Sequence, residues 1–496
     1  MKNINKVFLF SLFFGLFACK NSISPVVNVK TPNIILIVVD DQGYADFSPF
    51  ENHDVTAQTP NMGSLAASGM VFTQAYTTAP VCSPSRVAIL TGKNQIRWDK
   101  QASWGPGLPE SVKTIPEYLK EVGYATAKIG KNDLGRNFHK YNFREYPLKH
   151  GFDEFLGFNA HAHDYWLLSQ DIKDRTPDPS GTSAALGPLM HNNGVKSYNE
   201  GYLTAILTDE AINYVKKQKK DKPFFLTLSY NAVHHLIHEV PQKYLNKFNV
   251  KPIANYDPDS LVTFGKHPAG SYSAYYDKYS RLGAIQDEDL RKYYLANLNC
   301  LDDNIGRFLE TIKKEGIEKE TIIIFVSDNG GEPSTGANNR PLTAGKFSLW
   351  EGGIRVPMSI SWPGKIAAGQ VQKSYVSAMD ILPTIALAAG ITLTDPTIDG
   401  VNLLKPIKDR MLVWKWQKAW AIRIGDYKLT NTNEDHWKGR PSDLYIKPIR
   451  NDYTLKLFNL TIDPGERNDL SSKNPEKVKE LETAYLNWCA TNIGNF

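Results

Sequence analysis

Residues 34–39, Ile-Ile-Leu-Ile-Val-Val, contain no polar position. A strand with one wet face alternates apolar and polar. An unbroken β-branched run instead predicts a strand covered on both faces, as in a parallel sheet. Residues 321–326 repeat the pattern, and 125–130 and 223–230 are weaker versions of it. Helical patterns separate these runs at 114–122, 202–217 and 290–315. Strand and helix in alternation over this length predict an α/β fold, an α/β/α sandwich around a large, mostly parallel mixed sheet. Near residues 395–400 the patterning thins. Beyond it, short apolar stretches at 421–429 and 457–466 and a helical stretch at 475–489 predict a small antiparallel sheet with a helix packed on it. The expected division is a large domain over 31–395 and a C-terminal α+β subdomain over 396–496.

The amino terminus reads differently. Met1-Lys-Asn-Ile-Asn-Lys6 is basic and 7–18 is almost wholly apolar. That is the layout of a signal peptide over 1–18, too short to be a membrane span. Leu16-Phe17-Ala18-Cys19 resembles a bacterial lipobox, which predicts cleavage before Cys19, lipidation of its thiol and a polar tether over 19–30. The expected location is therefore outside the cytoplasm, in the periplasm or on the cell surface, with the membrane as a partner through the lipid alone. With Cys19 so assigned, and Cys82 assigned to chemistry below, Cys300 and Cys489 remain, too few for a disulfide framework. The net charge of +5 includes Lys2 and Lys6, which leave with the signal peptide, and no basic tract stands out; no nucleic-acid partner is expected.

Polar residues follow the apolar runs at the places where α/β folds collect function, the C-terminal ends of strands. Asp40-Asp41 ends one run, Asp328-Asn329 another, and Lys131 and His234 follow two more. Three crowded carboxylates repel unless a cation neutralises them, and an all-oxygen set points to Ca²⁺ or Mg²⁺ rather than zinc. Each pair taken alone also reads as a helix cap or a turn. Cys82-Ser-Pro-Ser-Arg86 opens another apolar run, which ends at Thr91-Gly92. This predicts a reactive side chain at a helix N-terminus, with Pro84 at the first helical position. Arg86 would offer a planar fork to a tetrahedral oxyanion. The plainer reading is a buried cysteine beside a capped helix.

Together these segments resemble the type I sulfatases of the alkaline phosphatase-like superfamily. The resemblance is carried by 33–41, by Cys82-Ser-Pro-Ser-Arg86 with Leu90-Thr-Gly92, and by Phe225-Leu-Thr-Leu-Ser-Tyr-Asn-Ala-Val-His234. Residues 323–329, 338–346 and 350–357 and the late Asp463-Pro-Gly-Glu466 extend it, so it runs from about Thr31 to the C-terminus. It implies a sulfatase acting on sulfated carbohydrate. The signature cysteine, here Cys82, is oxidised by a maturation enzyme to Cα-formylglycine, whose hydrate attacks sulfur and then collapses to expel sulfate. One Ca²⁺ is implied on Asp40, Asp41, Asp328, Asn329 and the oxygen of residue 82. Lys131 and Lys346 are implied to hold the sulfate, and His234 to protonate the leaving oxygen.

The chain departs from the family twice. Asp133 stands where a histidine that bonds the formylglycine is usual, so Asp133 becomes a candidate for that bond. Val233-His234-His235-Leu236 replaces the usual Pro-His-x-Pro, which leaves His235 as a second candidate acid. Polar and aromatic residues at 157–166 suit a sugar, and His163 and Asp164 are assigned to substrate. Two other functions fit parts of the pattern. One is a phosphatase or phosphodiesterase of the same superfamily, although no second set of metal ligands stands out. The other is a surface protein that binds sulfated glycans with an impaired site, favoured by Asp133.

Overall fold

Strand β1 (Asn33–Val39) lies at the centre of the molecule. Its alternate side chains explain the lack of polar positions. Ile34, Leu36 and Val38 enter one buried cluster, and Ile35, Ile37 and Val39 enter another on the opposite face. The structure, a computed structural model, describes residues 31–135, 141–178, 184–219, 221–280, 285, 287–433, 444–450 and 452–494. The signal peptide over 1–18, Cys19 and the tether over 19–30 lie outside the described residues. From Thr31 onward the chain forms one compact unit.

Ten strands make the main sheet. After β1 come β2 (Met70–Phe72), β3 (Ala125–Lys131), β4 (Glu154–Phe158), β5 (Leu189–His191) and β6 (Gly194–Lys196). They are followed by β7 (Phe224–Ser229), β8 (Thr321–Ser327), β9 (Met358–Ser361) and β10 (Gln370–Gln372). The spatial order is β10-β2-β9-β8-β1-β7-β3-β4-β5-β6. The five strands from β8 to β4 run parallel. Antiparallel β9 and β5 flank them, giving the mixed sheet expected. The outlying β2, β5, β6 and β10 have three residues each, too few to show a period in the sequence.

Helices cover both faces. On the Ile34 face are α2 (Cys82–Thr91), α3 (Ile115–Glu121) and α6 (Ile381–Ala388). On the Ile35 face are α1 (Pro60–Ala67), α4 (Leu203–Lys217) and α5 (Asp287–Lys314). Helix α2 begins at Cys82, with Val81 as its extended N-cap, so Pro84 is the third helical residue rather than the first. The substitution is harmless because none of the first four N–H groups has an intrahelical partner. Gly92 ends the helix in the left-handed region, φ 65°.

The small C-terminal sheet joins β11 (Met411–Trp416), β12 (Ala419–Ile424), β13 (Tyr427–Thr430) and β14 (Lys456–Asn459) in antiparallel order, with α7 (Pro475–Asn492) beside it. Its alternation is informative. Leu412, Trp414 and Trp416 pack with Val81 and Ala88 of the α2 region, while Val413, Ile422 and Leu429 pack with Leu481 and Tyr485 of α7. One face of this sheet therefore supports the helix that carries residue 82. Among the described residues Cys82, Cys300 and Cys489 form no disulfide, and no helix is long and apolar enough to cross a membrane.

Candidate active site

Strand register brings the predicted polar residues to one edge. Val39 pairs with Ser327, Val38 with Ser229, and Ser229 with Gly130. The residues that follow, Asp40, Asp328 and Lys131, therefore emerge side by side. Asp41 takes a left-handed turn, φ 59°, so that two successive carboxylates reach the same centre. Asp40, Asp41, Asp328 and Asn329 are all fully buried. Cys82, at the positive end of α2, places its Sγ 3.2 Å from Asp40 Oδ1. One ligand atom from each of Asp40, Asp41, Asp328 and Cys82 lies within 4.8 Å of the others.

Burial dominates the electrostatics of this cluster. Burial pushes Asp41 up, and burial with Asp40 nearby pushes Asp328 up to about 6, although Lys346, Arg86 and Lys131 pull the other way. Burial, then Asp328 and Asp40, push the Cys82 thiol well above its usual range. Acids crowded in this way hold protons until a cation compensates them. Asn329 donates to Asp41 Oδ1 at 2.6 Å and to the Gly330 carbonyl at 3.0 Å. Its own buried Oδ1 accepts no hydrogen bond from the described residues. An orphaned amide oxygen among hard carboxylates fits a calcium-type cation.

Three cationic side chains surround the cluster. Lys131 Nζ is 2.5 Å from Asp40 Oδ2, and Lys346 Nζ is 2.6 Å from Asp41 Oδ2 and 3.4 Å from Glu332 Oε2. Their carboxylates hold both ammonium groups protonated against the opposing effect of burial. Arg86 behaves differently from the sequence expectation. Its Nε meets Asp328 Oδ2 at 2.8 Å, and Nη1 meets Ser229 Oγ at 2.6 Å and the Lys131 carbonyl at 3.2 Å. One helical turn beyond residue 82, it runs beneath the cluster and clamps strand ends, rather than presenting its fork to an anion.

Above the cluster opens a cavity of about 300 Å³, lined among others by Cys82, His161, His234, His235, Glu332 and Lys346. His234 Nε2 lies 3.6 Å from Asp41 Oδ2, and a nitrogen of its ring is within 4.8 Å of the Cys82 sulfur. Burial, then Lys346 and Lys131, push His234 well below its ordinary value. His235 instead gives its Nε2 to Glu332 Oε1 at 2.9 Å. The geometry thus separates the two neighbouring imidazoles.

Asp133, buried and left-handed at φ 43°, does not turn to residue 82. Its Oδ1 is 2.9 Å from His161 Nδ1 and its Oδ2 is 3.3 Å from Lys131 Nζ. Burial alone would raise its pKa; His161 and then Lys131 outweigh burial and hold it below the usual carboxylate range. His161 and Glu332 were not singled out from the sequence. Only strand pairing exposes the first: Lys131 lies opposite Phe158, which carries Asp133 alongside residues 160–161.

His163 and Asp164, assigned to substrate, do not line the cavity. His163 is buried, with Nδ1 2.9 Å from the Asp164 carbonyl. Asp164 is fully buried, and its Oδ1 caps the Trp166 and Leu167 amides at 2.8 and 2.7 Å. The chain bends at 160–161, which turns His161 outward and these two inward.

An alkaline phosphatase-like sheet with an oxygen-donor cluster, a buried cysteine at a helix N-terminus and two ammonium groups at its C-terminal edge defines a hydrolase of oxyacid esters. The comparisons narrow the class. The Sulfatase family model matches residues 32–391, and the model for the C-terminal part of N-sulphoglucosamine sulphohydrolase matches 345–487. N-acetylgalactosamine-6-sulfatase of Homo sapiens is 30% identical, over 91% of this chain and 84% of that protein. Arylsulfatase J of Mus musculus is 30% identical, over 91% and 74%. The solved structure of Ps i-CgsB in complex with k-i-k-neocarrahexaose is 30% identical with a TM-score of 0.75, over 94% of both chains. The chain belongs to the sulfatase family and is a sulfuric ester hydrolase. Phosphonate monoester hydrolase of Agrobacterium radiobacter, 20% identical with a TM-score of 0.62, shares the fold.

Proposed function

We propose that this sulfatase hydrolyses sulfate esters of carbohydrates, with Cys82 matured to formylglycine as nucleophile and one Ca²⁺ on Asp40, Asp41, Asp328 and Asn329. The observation that carries the reading is the convergence of this buried oxygen cluster with Cys82 and two lysines, next to a cavity that Cys82 and Lys346 line. Relatives named for N-acetylgalactosamine 6-sulfate, and a neighbour bound to a neocarrahexaose, support a sugar as the alcohol.

Oxidised and hydrated, residue 82 supplies two hydroxyl groups, one to attack sulfur and one whose proton loss restores the aldehyde as sulfate departs. A bound calcium ion would neutralise the carboxylates and polarise the sulfate. Lys131 and Lys346 hold the sulfate oxygens and stabilise charge that builds on them during transfer. His234 protonates the departing sugar oxygen; a sulfate seated on the two ammonium groups offsets the charges that oppose its protonation. Arg86 keeps Asp328 and the strand ends in register.

The phosphatase reading needs a second metal. Asp41, His234 and Glu332 are close enough to hold one. Lys346 already sits at 2.6 and 3.4 Å from the two carboxylates there, which favours a single-metal sulfatase. The basic leader, apolar run and Cys19 support an exported enzyme held by lipid; a Cys19→Ala variant released from the membrane fraction would bear this out.

The test is sulfate release from N-acetylgalactosamine 6-sulfate and from a sulfated oligosaccharide, before and after chelation. Release that chelation abolishes and calcium restores is expected. Phosphate esters turned over in preference to sulfate esters, or full activity in metal-free protein, would refute the proposal.

A further inference from the structure

Trp104 is 47% exposed, unusual for so large an apolar side chain, and it stands on the cavity wall with Cys82 and Lys346. Its ring lies 5.3 Å from that of Phe347, the residue after Lys346, and 5.0 Å from that of Trp416, which it meets edge to face. Trp416 is fully buried at the end of β11, so the C-terminal sheet backs this wall directly. The Trp104 loop is also pinned from the other side. A Cβ on Gly105 would meet the Gly135 carbonyl oxygen at 2.3 Å, an approach only glycine allows. An exposed indole on a fixed loop is a preorganised surface whose ordering entropy is spent at folding rather than at binding.

We infer that Trp104, braced by Trp416 and Phe347, is a stacking platform for the sugar unit glycosidically linked to the sulfated one. This rests on the carbohydrate reading above. Size and position select that occupant. A cavity of about 300 Å³ is at the small end of ligand sites and accommodates one sulfated ring. Phe347 follows directly on Lys346, whose ammonium lies 5.3 Å from its ring centroid, so Phe347 borders the sulfated unit. Trp104 lies one ring beyond Phe347 and is half exposed, so its ring reaches from the cavity wall to the solvent side where a linked unit would extend. Pyranose rings present flat C–H faces that pack on aromatic rings, as apolar groups generally do.

The experiment is calorimetric binding, with calcium present, to the protein carrying unmodified Cys82, which binds without turnover. The probes are N-acetylgalactosamine 6-sulfate and a disaccharide in which that unit is linked to a second sugar. Trp104→Ala should weaken the disaccharide about tenfold, in the range of losing one aromatic contact, and the monosaccharide by less than twofold. Trp104→Phe should recover most of the loss, and thermal unfolding should be unchanged in both. Equal disaccharide affinity in Trp104→Ala and the parent would overturn the platform. Equal weakening of both sugars would overturn its assignment to the second unit. Failure of the parent protein to bind either sugar would overturn the carbohydrate reading, and this inference with it.

Discussion

Asp133 carries a charge in a fully buried position because two cationic or polar N–H groups, His161 Nδ1 and Lys131 Nζ, face its two oxygens. A carboxylate on one imidazole nitrogen fixes the ring's tautomer and orientation, so Asp133 acts on the cavity through His161. The family's histidine is thus absent from position 133, but an imidazole still reaches the wall from the bend after the neighbouring strand. Asp133→Asn should lower kcat about ten- to hundred-fold, the usual loss for a supporting carboxylate, and shift the ¹⁵N signals of the His161 ring. A raised KM with unchanged His161 signals would show that Asp133 serves the substrate itself. His234→Ala should cost a sugar sulfate about a hundred- to ten-thousand-fold and an activated aryl sulfate far less, since a phenolate leaves without a proton. Equal losses on both would remove His234 from the acid role and return it to His235. Metal candidates were legible at this scale because hard donors followed apolar runs directly. His161 and Trp104 were not, because their meaning depends on strand pairing and on a loop anchored elsewhere.

At the scale of elements, the joint between the main body and the small sheet is polar and buried. Lys428 of β13 lies 3.0 Å from Glu351 and 2.9 Å from Glu466, and all three are fully buried. Glu351 also meets Arg355 at 3.6 Å, so Glu466 is the less compensated of the two carboxylates. Burial, with Glu351 nearby, pushes Glu466 up to about 7. The folded chain therefore holds this proton more tightly than the unfolded chain, whose glutamate titrates near the ordinary 4.5. Its contribution to stability is fully present below about pH 4.5 and is lost as pH rises to about 7. Glu466→Gln should flatten this part of the melting temperature against pH, with the largest gain near pH 7. An unchanged slope would show that the proton sits elsewhere. The central strands were legible because β1 and β8 are covered on both faces. The short outer strands were not, and β11 was missed although its alternate tryptophans support α2. Arg86 was misjudged for a related reason: its direction depends on the helix beginning at Cys82 and not at Pro84.

For the whole molecule, each layer contributes to one cavity. The parallel sheet holds the oxygen cluster and Lys131 buried next to it, the loop after β8 supplies Glu332 and Lys346 to its lining, and the loop after β7 supplies both histidines. The C-terminal sheet braces the mouth through Trp416. The central claim is that sulfate-ester hydrolysis depends on oxidation of Cys82. Its most direct test is mass spectrometry of the peptide containing residue 82, in preparations made with and without a maturation enzyme, set against specific activity on a sulfate ester. Activity should rise in proportion to the fraction of peptide in which the thiol's sulfur and two hydrogens have been exchanged for one oxygen. Full activity in protein whose Cys82 is entirely unmodified would contradict the account.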